Sequence, residues 1–258
     1  MNDKGQPGIS NTVANFANQP KILAVAGAYA TADAQSQISY FTVKGVKFAL
    51  LAYTTTSINK QVSPYGVNIY SDTLADSQIT AAKSKADLVL VAMHWGTDYS
   101  PTETADQTTI AQHLADKGVD IVLGMGPHVI EPVKVLSGAS NHQTIVWYSL
   151  GNFLNSQVPV ETLIGGFAVM DIDTSTKFLH NPRFLPVYMH YEWTAAQKAR
   201  ASSADLQARH NFTMVPLDQA GDLLSKSQNN TTVAAQTDRV KAILNKYFTV
   251  PVITANDY

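Results

Sequence analysis

Two helix-then-strand units in the first half of the chain constrain the fold most. A helical pattern over residues 76–85 precedes an apolar run within residues 87–96, and a second helical pattern over residues 104–117 precedes a similar run within residues 119–128. Strands that are apolar on both faces and alternate with helices occur in sheets that are covered on both sides. The sequence therefore predicts an α/β fold built on a largely buried sheet.

The flanking segments predict further elements of the same domain. Lys44-Gly45 separates two β-rich runs, which predicts a hairpin whose second strand enters the core. The later strands follow one another with short connections, so we expect that part of the sheet to be antiparallel or mixed. The other predicted elements are helices over residues 9–19, 202–209 and 233–248 and strands over residues 21–27, 144–153, 165–173 and 184–193. We find no internal repeat and no second domain.

Composition excludes several classes of function. The formal net charge of -2 and the absence of a Lys/Arg cluster argue against nucleic-acid binding, which needs a basic surface. The chain has no Cys, which excludes a thiolate nucleophile, a Cys-ligated zinc site and a disulfide. The Gly-x-Ser-x-Gly elbow, the P-loop motif and GxGxxG are also missing. Any metal must therefore bind through His, carboxylate or amide ligands.

Two histidines follow the two apolar runs at equivalent places. His94 comes directly after Met93, and the loop of residues 124–127 leads to His128. Ligands bind at the carboxyl ends of strands in open α/β sheets, so the two imidazoles can meet in one crevice. There they are candidate metal ligands or general acid/base groups. The alternative is that each histidine only caps its strand by hydrogen bonding a loop carbonyl.

Other residues near these strand ends are candidates for ligand binding. Asn152 can orient a phosphate, a carboxylate or water through its amide, or it is simply a turn residue. Trp95 and Tyr99 can stack on a ligand, although aromatic residues in such positions often pack on the core instead. The opening sequence predicts a turn at Asp3, where a carboxylate ordinarily caps the following helix. No catalytic role is predicted for His113, His142, His180, His190 and His210.

Three segments together resemble the CapA/PgsA capsule-synthesis family, which is named for poly-γ-glutamate capsule biosynthesis. They are HWGTDYSPTETADQ, DKGVDIVLGMGPHVIEPV and YSLGNF, in that order. The resemblance covers about residues 1–171, with residues 172–258 as the C-terminal strands and helices of the same domain. It implies a calcineurin-like metallophosphoesterase fold, an α/β/β/α sandwich of four layers with mixed sheets, of which this chain holds a part.

The resemblance also implies a metal site at the strand ends. His94 and His128 would be metal ligands, and Asp3, in an opening Asn2-Asp3-Lys4-Gly5 that is similar to a family motif, would join them as a catalytic residue. The metal would be a divalent ion such as Mn, Zn, Mg or Fe. Many relatives carry His-Pro-His where this chain has Gly126 before Pro127 and His128. We therefore expect only part of a metal site and weak metal binding.

The same resemblance implies that the chain starts within a larger domain. The family's earlier motifs and its N-terminal membrane anchor would lie upstream, which predicts an extracellular protein held at the cell surface. Its partners would be an anionic capsule polymer or the subunits that make it, together with the missing N-terminal segment or a companion chain.

The leading functional interpretation is a metallophosphoesterase-like protein of capsule or poly-γ-glutamate biosynthesis that acts at the cell surface. Two alternatives remain open. One is a metal-dependent phosphoesterase or amide hydrolase in which His94 or His128 binds the metal or donates a proton. The other is a non-catalytic scaffold that binds an anionic polymer, because a fold alone does not determine activity.

Overall fold

The computed structural model describes residues 5–56 and 64–257. Its larger sheet has six strands in the order β1-β2-β3-β4-β6-β5. These strands are β1 (Ser39–Val43), β2 (Val46–Thr54), β3 (Leu88–His94), β4 (Ile121–Met125), β5 (Val133–Ser137) and β6 (Gln143–Trp147). The four central strands β2, β3, β4 and β6 run parallel, and the two outer strands pair antiparallel. The predicted α/β class with a mixed sheet is confirmed.

The β1–β2 hairpin turns at Lys44-Gly45, as the sequence predicts. Both residues have positive φ angles, 49° for Lys44 and 79° for Gly45. A two-residue turn with this backbone matches the right-handed twist of the paired strands. Strand β2 then lies between β1 and β3, where its alternate residues are buried.

Two helices cover one face of the six-stranded sheet. They are α3 (Asp72–Lys83) and α4 (Ala105–Asp116), the two helices that the sequence predicts before the buried strands. Alternate strand residues such as Val91, Val122 and Val146 pack against Ile79 and Leu114 of the helices. This alternation follows from the period of two along a strand.

The second sheet packs on the opposite face. It has three antiparallel strands, β7 (Ile164–Ile172), β8 (Leu179–Glu192) and β9 (His210–Pro216). Trp147 of β6 stacks on Phe184 of β8 with ring centroids 5.9 Å apart. Leu224 and Leu244 from the C-terminal helices belong to the same apolar cluster. The predicted sandwich of helices and two sheets is therefore confirmed.

The remaining helices are short or lie at the ends of the chain. None of the helices within residues 5–56 and 64–257 combines the length and apolar character needed to cross a bilayer. The remaining α-helices are α1 (Gly5–Ala17), α2 (Ala32–Ser36), α5 (Ala195–Arg200), α6 (Ser203–Gln207), α7 (Gly221–Lys226) and α8 (Val233–Leu244). Single 3-10 turns span Ala139–Asn141, Val160–Leu163, Leu217–Gln219 and Ala255–Asp257.

The structure differs from the sequence prediction at three strands. Residues 21–27 form no strand, and Ile22 and Leu23 are exposed. A short apolar run predicts burial, but it does not supply a pairing partner. Conversely, β5 (Val133–Ser137) and β9 (His210–Pro216) were not predicted. Lys134 is the second of only five residues in β5, and β9 opens with the polar residues His210 and Asn211, so both strands give little apolar signal.

Candidate functional site

The structure brings the two histidines to the same edge of the six-stranded sheet. His94 is the last residue of β3, and it pairs in register with Met125 at the end of the parallel neighbour β4. His128 follows three residues later in the loop after β4. Both side chains are half-buried. Parallel strands expose their carboxyl ends at one edge, so the helix-strand repeat in the sequence has the spatial result that we predicted.

The imidazole of His94 is held through its Nδ1 atom. Nδ1 lies 3.3 Å from Oγ1 of Thr54, the residue opposite His94 on the neighbouring strand β2. The Thr54 hydroxyl donates its proton to the carbonyl of Thr56, so towards His94 it acts as an acceptor. His94 therefore carries its proton on Nδ1, and its Nε2 has no hydrogen-bond partner among residues 5–56 and 64–257.

Burial lowers the pKa of His94, and electrostatic repulsion from His128 lowers it further. The imidazole of His94 is therefore neutral at neutral pH, which is the form that accepts a proton or binds a metal.

The imidazole of His128 is held in the same manner. Its Nδ1 lies 3.0 Å from Oδ1 of Asn152. The amide nitrogen of Asn152 donates to Oε1 of Gln157 at 2.9 Å and to the carbonyl of Thr162 at 3.0 Å, which fixes Oδ1 as the atom facing His128. His128 is thus also protonated on Nδ1. Among the residues that the structure describes, neither histidine has a hydrogen-bond partner at Nε2.

Tyr99 covers one side of His128. The two rings stack with centroids 5.7 Å apart and planes 27° apart. Both residues have φ of 64°, a left-handed conformation that is unusual for residues with a side chain. The Tyr99 amide donates to the carbonyl of Pro127 at 2.7 Å, which ties the two loops together. Tyr99 remains 56% exposed, so a ligand can reach its ring.

The structure places Trp95 differently from the other predicted ligand-binding residues. Its side chain belongs to the core cluster under α3 and α4 and is only 2% exposed. The indole Nε1 donates to the carbonyl of Tyr148 at 2.8 Å. These contacts favour the alternative interpretation of Trp95 as a core residue, and they leave Tyr99 as the exposed aromatic ring beside the histidines.

The backbone at Gly126 does not admit a second imidazole. Gly126 has φ of 131°, and a Cβ atom there would lie 2.1 Å from the carbonyl oxygen of Trp95. Such a distance is far inside van der Waals contact. The path of this loop therefore requires glycine at position 126, where many relatives carry histidine. His128 is the imidazole that the loop supplies.

A cleft of about 380 Å³ adjoins the His94 loop. It lies between the segment after β2, the loop after β3 and the first turns of α4. Its lining is rich in threonine hydroxyl groups and includes one carboxylate, that of Asp106. The polar lining residues are Thr55, Thr56, Thr97, Thr104, Asp106, Gln107 and Thr109.

The described residues fit only part of a metal site. His94 and His128 have their Nδ1 atoms bound to oxygen acceptors, which is the arrangement that orients metal-binding imidazoles. In residues 5–56 and 64–257, however, no group of three His, Cys, Asp or Glu side chains is placed to bind a metal. Asp3 lies outside the described residues. Two imidazoles alone form an incomplete site, so we derive no reaction step that passes through a metal.

Sequence reasoning missed two residues that organise this site. Thr54 binds His94 from the neighbouring strand, and Gln157 binds Asn152 from a loop. The register of β2 with β3 sets the first contact, and an irregular loop sets the second. Neither leaves a pattern in the sequence. Asn152, which the sequence offers either as a ligand-binding residue or as a turn residue, forms side-chain hydrogen bonds with His128, Gln157 and Thr162.

Comparison with known proteins places these features in a family. Residues 1–157 match the family described as bacterial capsule synthesis protein PGA_cap. The PGA biosynthesis protein CapA of Bacillus subtilis (strain 168) is 37% identical over 159 residues, which is 60% of this chain and 40% of that protein. The capsule biosynthesis protein CapA of Bacillus anthracis is 33% identical over 165 residues, 61% of this chain and 38% of that protein.

The chain therefore spans about 40% of the length of these curated relatives. A solved structure from Staphylococcus aureus, described as a 5′-nucleotidase in complex with alpha-ketoglutarate, is also similar. Its TM-score is 0.39 at 18% sequence identity, and the match covers 58% of this chain and 29% of that one. At this TM-score the likeness carries no argument about function.

Proposed function

Because the chain belongs to the bacterial capsule synthesis protein family, we propose that it acts in the biosynthesis of an anionic capsule polymer of the poly-γ-glutamate type. The relatives from B. subtilis and B. anthracis are named as PGA and capsule biosynthesis proteins. The observation that carries the proposal is the pair His94 and His128 at one sheet edge. Each is held through Nδ1, and within the described part of the chain nothing is bonded to either Nε2.

A neutral imidazole with a free Nε2 suits proton transfer. His94 in this form can accept a proton from a nucleophile such as water. Once it has accepted this proton, His94 can pass it to the leaving group, while His128 and the Tyr99 ring stacked on it line the site. The substrate class would be a phosphate ester or a glutamyl amide, both of which need a proton transferred to the leaving group.

A divalent metal would bind weakly to the described residues alone. Affinity grows with the number of ligands, and two imidazoles must leave several positions to water. A carboxylate such as that of Asp3 would strengthen the site if it reached the histidines. A bound metal would polarise the scissile group and lower the pKa of bound water.

A non-catalytic scaffold is the second candidate function. The observation in its favour is the absence of a complete metal-ligand group among the described residues. The net charge of -2 argues against it, because an anionic polymer is held most simply by a basic surface. We therefore favour hydrolysis or transfer at His94 and His128 over the scaffold function.

We also propose that the protein acts at the cell surface and that residues 1–258 form one domain, with residues 172–258 completing the fold. The support is the packing of the three-stranded sheet onto the six-stranded sheet through one shared apolar cluster. Its partners would be the capsule polymer and the subunits that synthesise it.

The test measures poly-γ-glutamate binding, polymer chain length after incubation with Mn²⁺ or Zn²⁺, and metal binding by calorimetry. The variants are His94→Ala and His128→Ala, with His210→Ala as the exposed control. We expect weak metal binding and an activity that falls about tenfold or more in both site variants only. Polymer that is bound but never shortened would favour the scaffold. The proposal would be contradicted if the protein neither bound nor shortened the polymer, or if both site variants kept full activity.

A further inference from the structure

We propose that Gln157 is a positioning residue that sets the orientation of His128 through Asn152 and Tyr99, and that Tyr191 of the second sheet holds Gln157 in place. The inference deepens the proposed function, since it concerns the same histidine pair. It assigns a role at the site to residues that neither the motifs nor the family match singles out.

The side-chain amide of Gln157 contacts both neighbours of His128. Its Oε1 accepts a hydrogen bond from Nδ2 of Asn152 at 2.9 Å, and its Nε2 donates to the hydroxyl of Tyr99 at 3.3 Å. Asn152 in turn presents Oδ1 to His128, and Tyr99 stacks on the His128 ring. The side-chain amide of Gln157 therefore contacts both Asn152, which orients the His128 ring, and Tyr99, which covers it.

The direction of each hydrogen bond follows from the network. Nδ2 of Asn152 also donates to the carbonyl of Thr162, so it must be the nitrogen. Gln157 must then offer Oε1 to Asn152, which leaves its Nε2 for Tyr99. Rotation of the Gln157 amide by half a turn would place its Nε2–H group against the Nδ2–H group of Asn152, and two donors cannot bond to each other. The network therefore has one consistent arrangement.

The second sheet anchors the backbone of Gln157. The hydroxyl of Tyr191, on β8, donates to the carbonyl of Gln157 at 2.7 Å. The guanidinium of Arg209 donates to the carbonyl of Ser156 and lies 4.8 Å from the centroid of the Tyr191 ring. Tyr191 is only 3% exposed, and burial raises its pKa, so its hydroxyl stays protonated and remains a donor.

This anchor lies outside the part of the chain that matches the family. The match ends at residue 157, whereas Tyr191 and Arg209 come from the C-terminal part of the chain. The C-terminal sheet would thus contribute to the site without supplying a residue that touches the substrate. Its contribution is to keep the Nδ1–H form of His128, with Nε2 free.

The test measures the His128 tautomer by ¹⁵N NMR, well above the pKa of imidazole. Three variants are compared. Gln157→Ala removes both side-chain contacts, and Gln157→Glu keeps the acceptor for Asn152. Tyr191→Phe removes only the hydroxyl that binds the Gln157 carbonyl. Gln143→Ala and Tyr40→Phe are the matched controls, because these side chains make comparable hydrogen bonds to backbone groups elsewhere.

We expect the ratio of Nδ1–H to Nε2–H tautomer of His128 to fall about fivefold or more in Gln157→Ala and to fall less in Tyr191→Phe. Gln157→Glu should preserve the tautomer but shift the Tyr99 ring signals, and this variant also serves if Gln157→Ala fails to fold. An unchanged tautomer in folded Gln157→Ala and Tyr191→Phe, or a loss in Gln157→Glu as large as in Gln157→Ala, would overturn the proposal.

The measurement uses the chain without polymer or metal. If the tautomer responds as expected while polymer binding and shortening are absent, the positioning role of Gln157 stands and the proposed function fails. If polymer is shortened while the tautomer ratio of His128 is unchanged in the variants, the proposed function stands and the positioning role of Gln157 fails. The two proposals therefore fail separately.

Discussion

At the scale of single residues, Glu131 is a fully buried ionisable group outside the histidine pair. Its side chain is completely buried, and one carboxyl oxygen accepts a hydrogen bond from Gln107 at 2.6 Å. Among the described residues, the other oxygen has no partner. Burial raises the pKa of Glu131 to about 7, against a partly compensating hydrogen bond from Gln107. The folded protein therefore holds a proton on Glu131 under conditions where the unfolded chain has lost it.

This proton makes the stability of the protein depend on pH in a predictable direction. The pKa of Glu131 rises from 4.5 in the unfolded chain to about 7 in the folded protein. Its contribution is therefore fully present below pH 4.5 and is lost as the pH rises through about 7. The difference corresponds to roughly 3 kcal/mol at most.

Glu131→Gln should remove this dependence, because the glutamine amide resembles the protonated acid and still accepts from Gln107. We expect the variant to match the wild type near pH 5 and to exceed its free energy of unfolding at pH 8 by about 1–3 kcal/mol. Urea unfolding at the two pH values measures this, with the exposed Glu161→Gln as control. Equal pH dependence in wild type and Glu131→Gln would show that Glu131 is ionised in the folded protein.

At the scale of elements, the two strand-end loops give the site its shape, and Gly126 is the tightest point in them. A side chain at this position would meet the carbonyl oxygen of Trp95, and the φ of 131° is in the region that favours glycine. The loop after β4 therefore crosses the start of the loop after β3 at a distance that only a glycine allows. That crossing fixes where His128 emerges relative to His94.

Gly126→Ala should consequently destabilise the protein by about 3 kcal/mol or more, since both the clash and the backbone conformation oppose the new methyl group. Gly221→Ala is the matched control, because a Cβ atom at Gly221 meets no other atom within 4 Å. Thermal unfolding of both variants measures the difference. If Gly126→Ala were as stable as the control, the close crossing of the two loops would not exist.

The elements also show where sequence reasoning succeeds and where it fails. The helices before β3 and β4, the hairpin at Lys44-Gly45 and the placement of His94 and His128 at strand ends follow from local patterns, so they could be predicted. The contacts of Thr54 and Gln157 could not, because they depend on strand register and on an irregular loop. The predicted strand over residues 21–27 was wrong for the related reason that an apolar run does not specify a pairing partner.

At the scale of the whole molecule, the two sheets contribute differently to the site. The six-stranded sheet supplies both histidines from its parallel strands, and the family match covers it. The three-stranded sheet packs behind it through the apolar cluster around Trp147 and Phe184, and its Tyr191 contacts the loop that holds Gln157. The central claim, that His94 and His128 form one site, depends on the first sheet alone.

The measurement that tests this claim most directly is an NMR titration of His94 in the wild type and in His128→Ala. Burial lowers the pKa of His94, and the electrostatic repulsion from His128 lowers it further, so the removal of His128 should raise that pKa towards the value of a free imidazole. His210→Ala, at an exposed histidine, should leave it unchanged. A raised pKa of His94 in His128→Ala alone would confirm that the two rings interact, whereas an unchanged pKa would contradict the shared site.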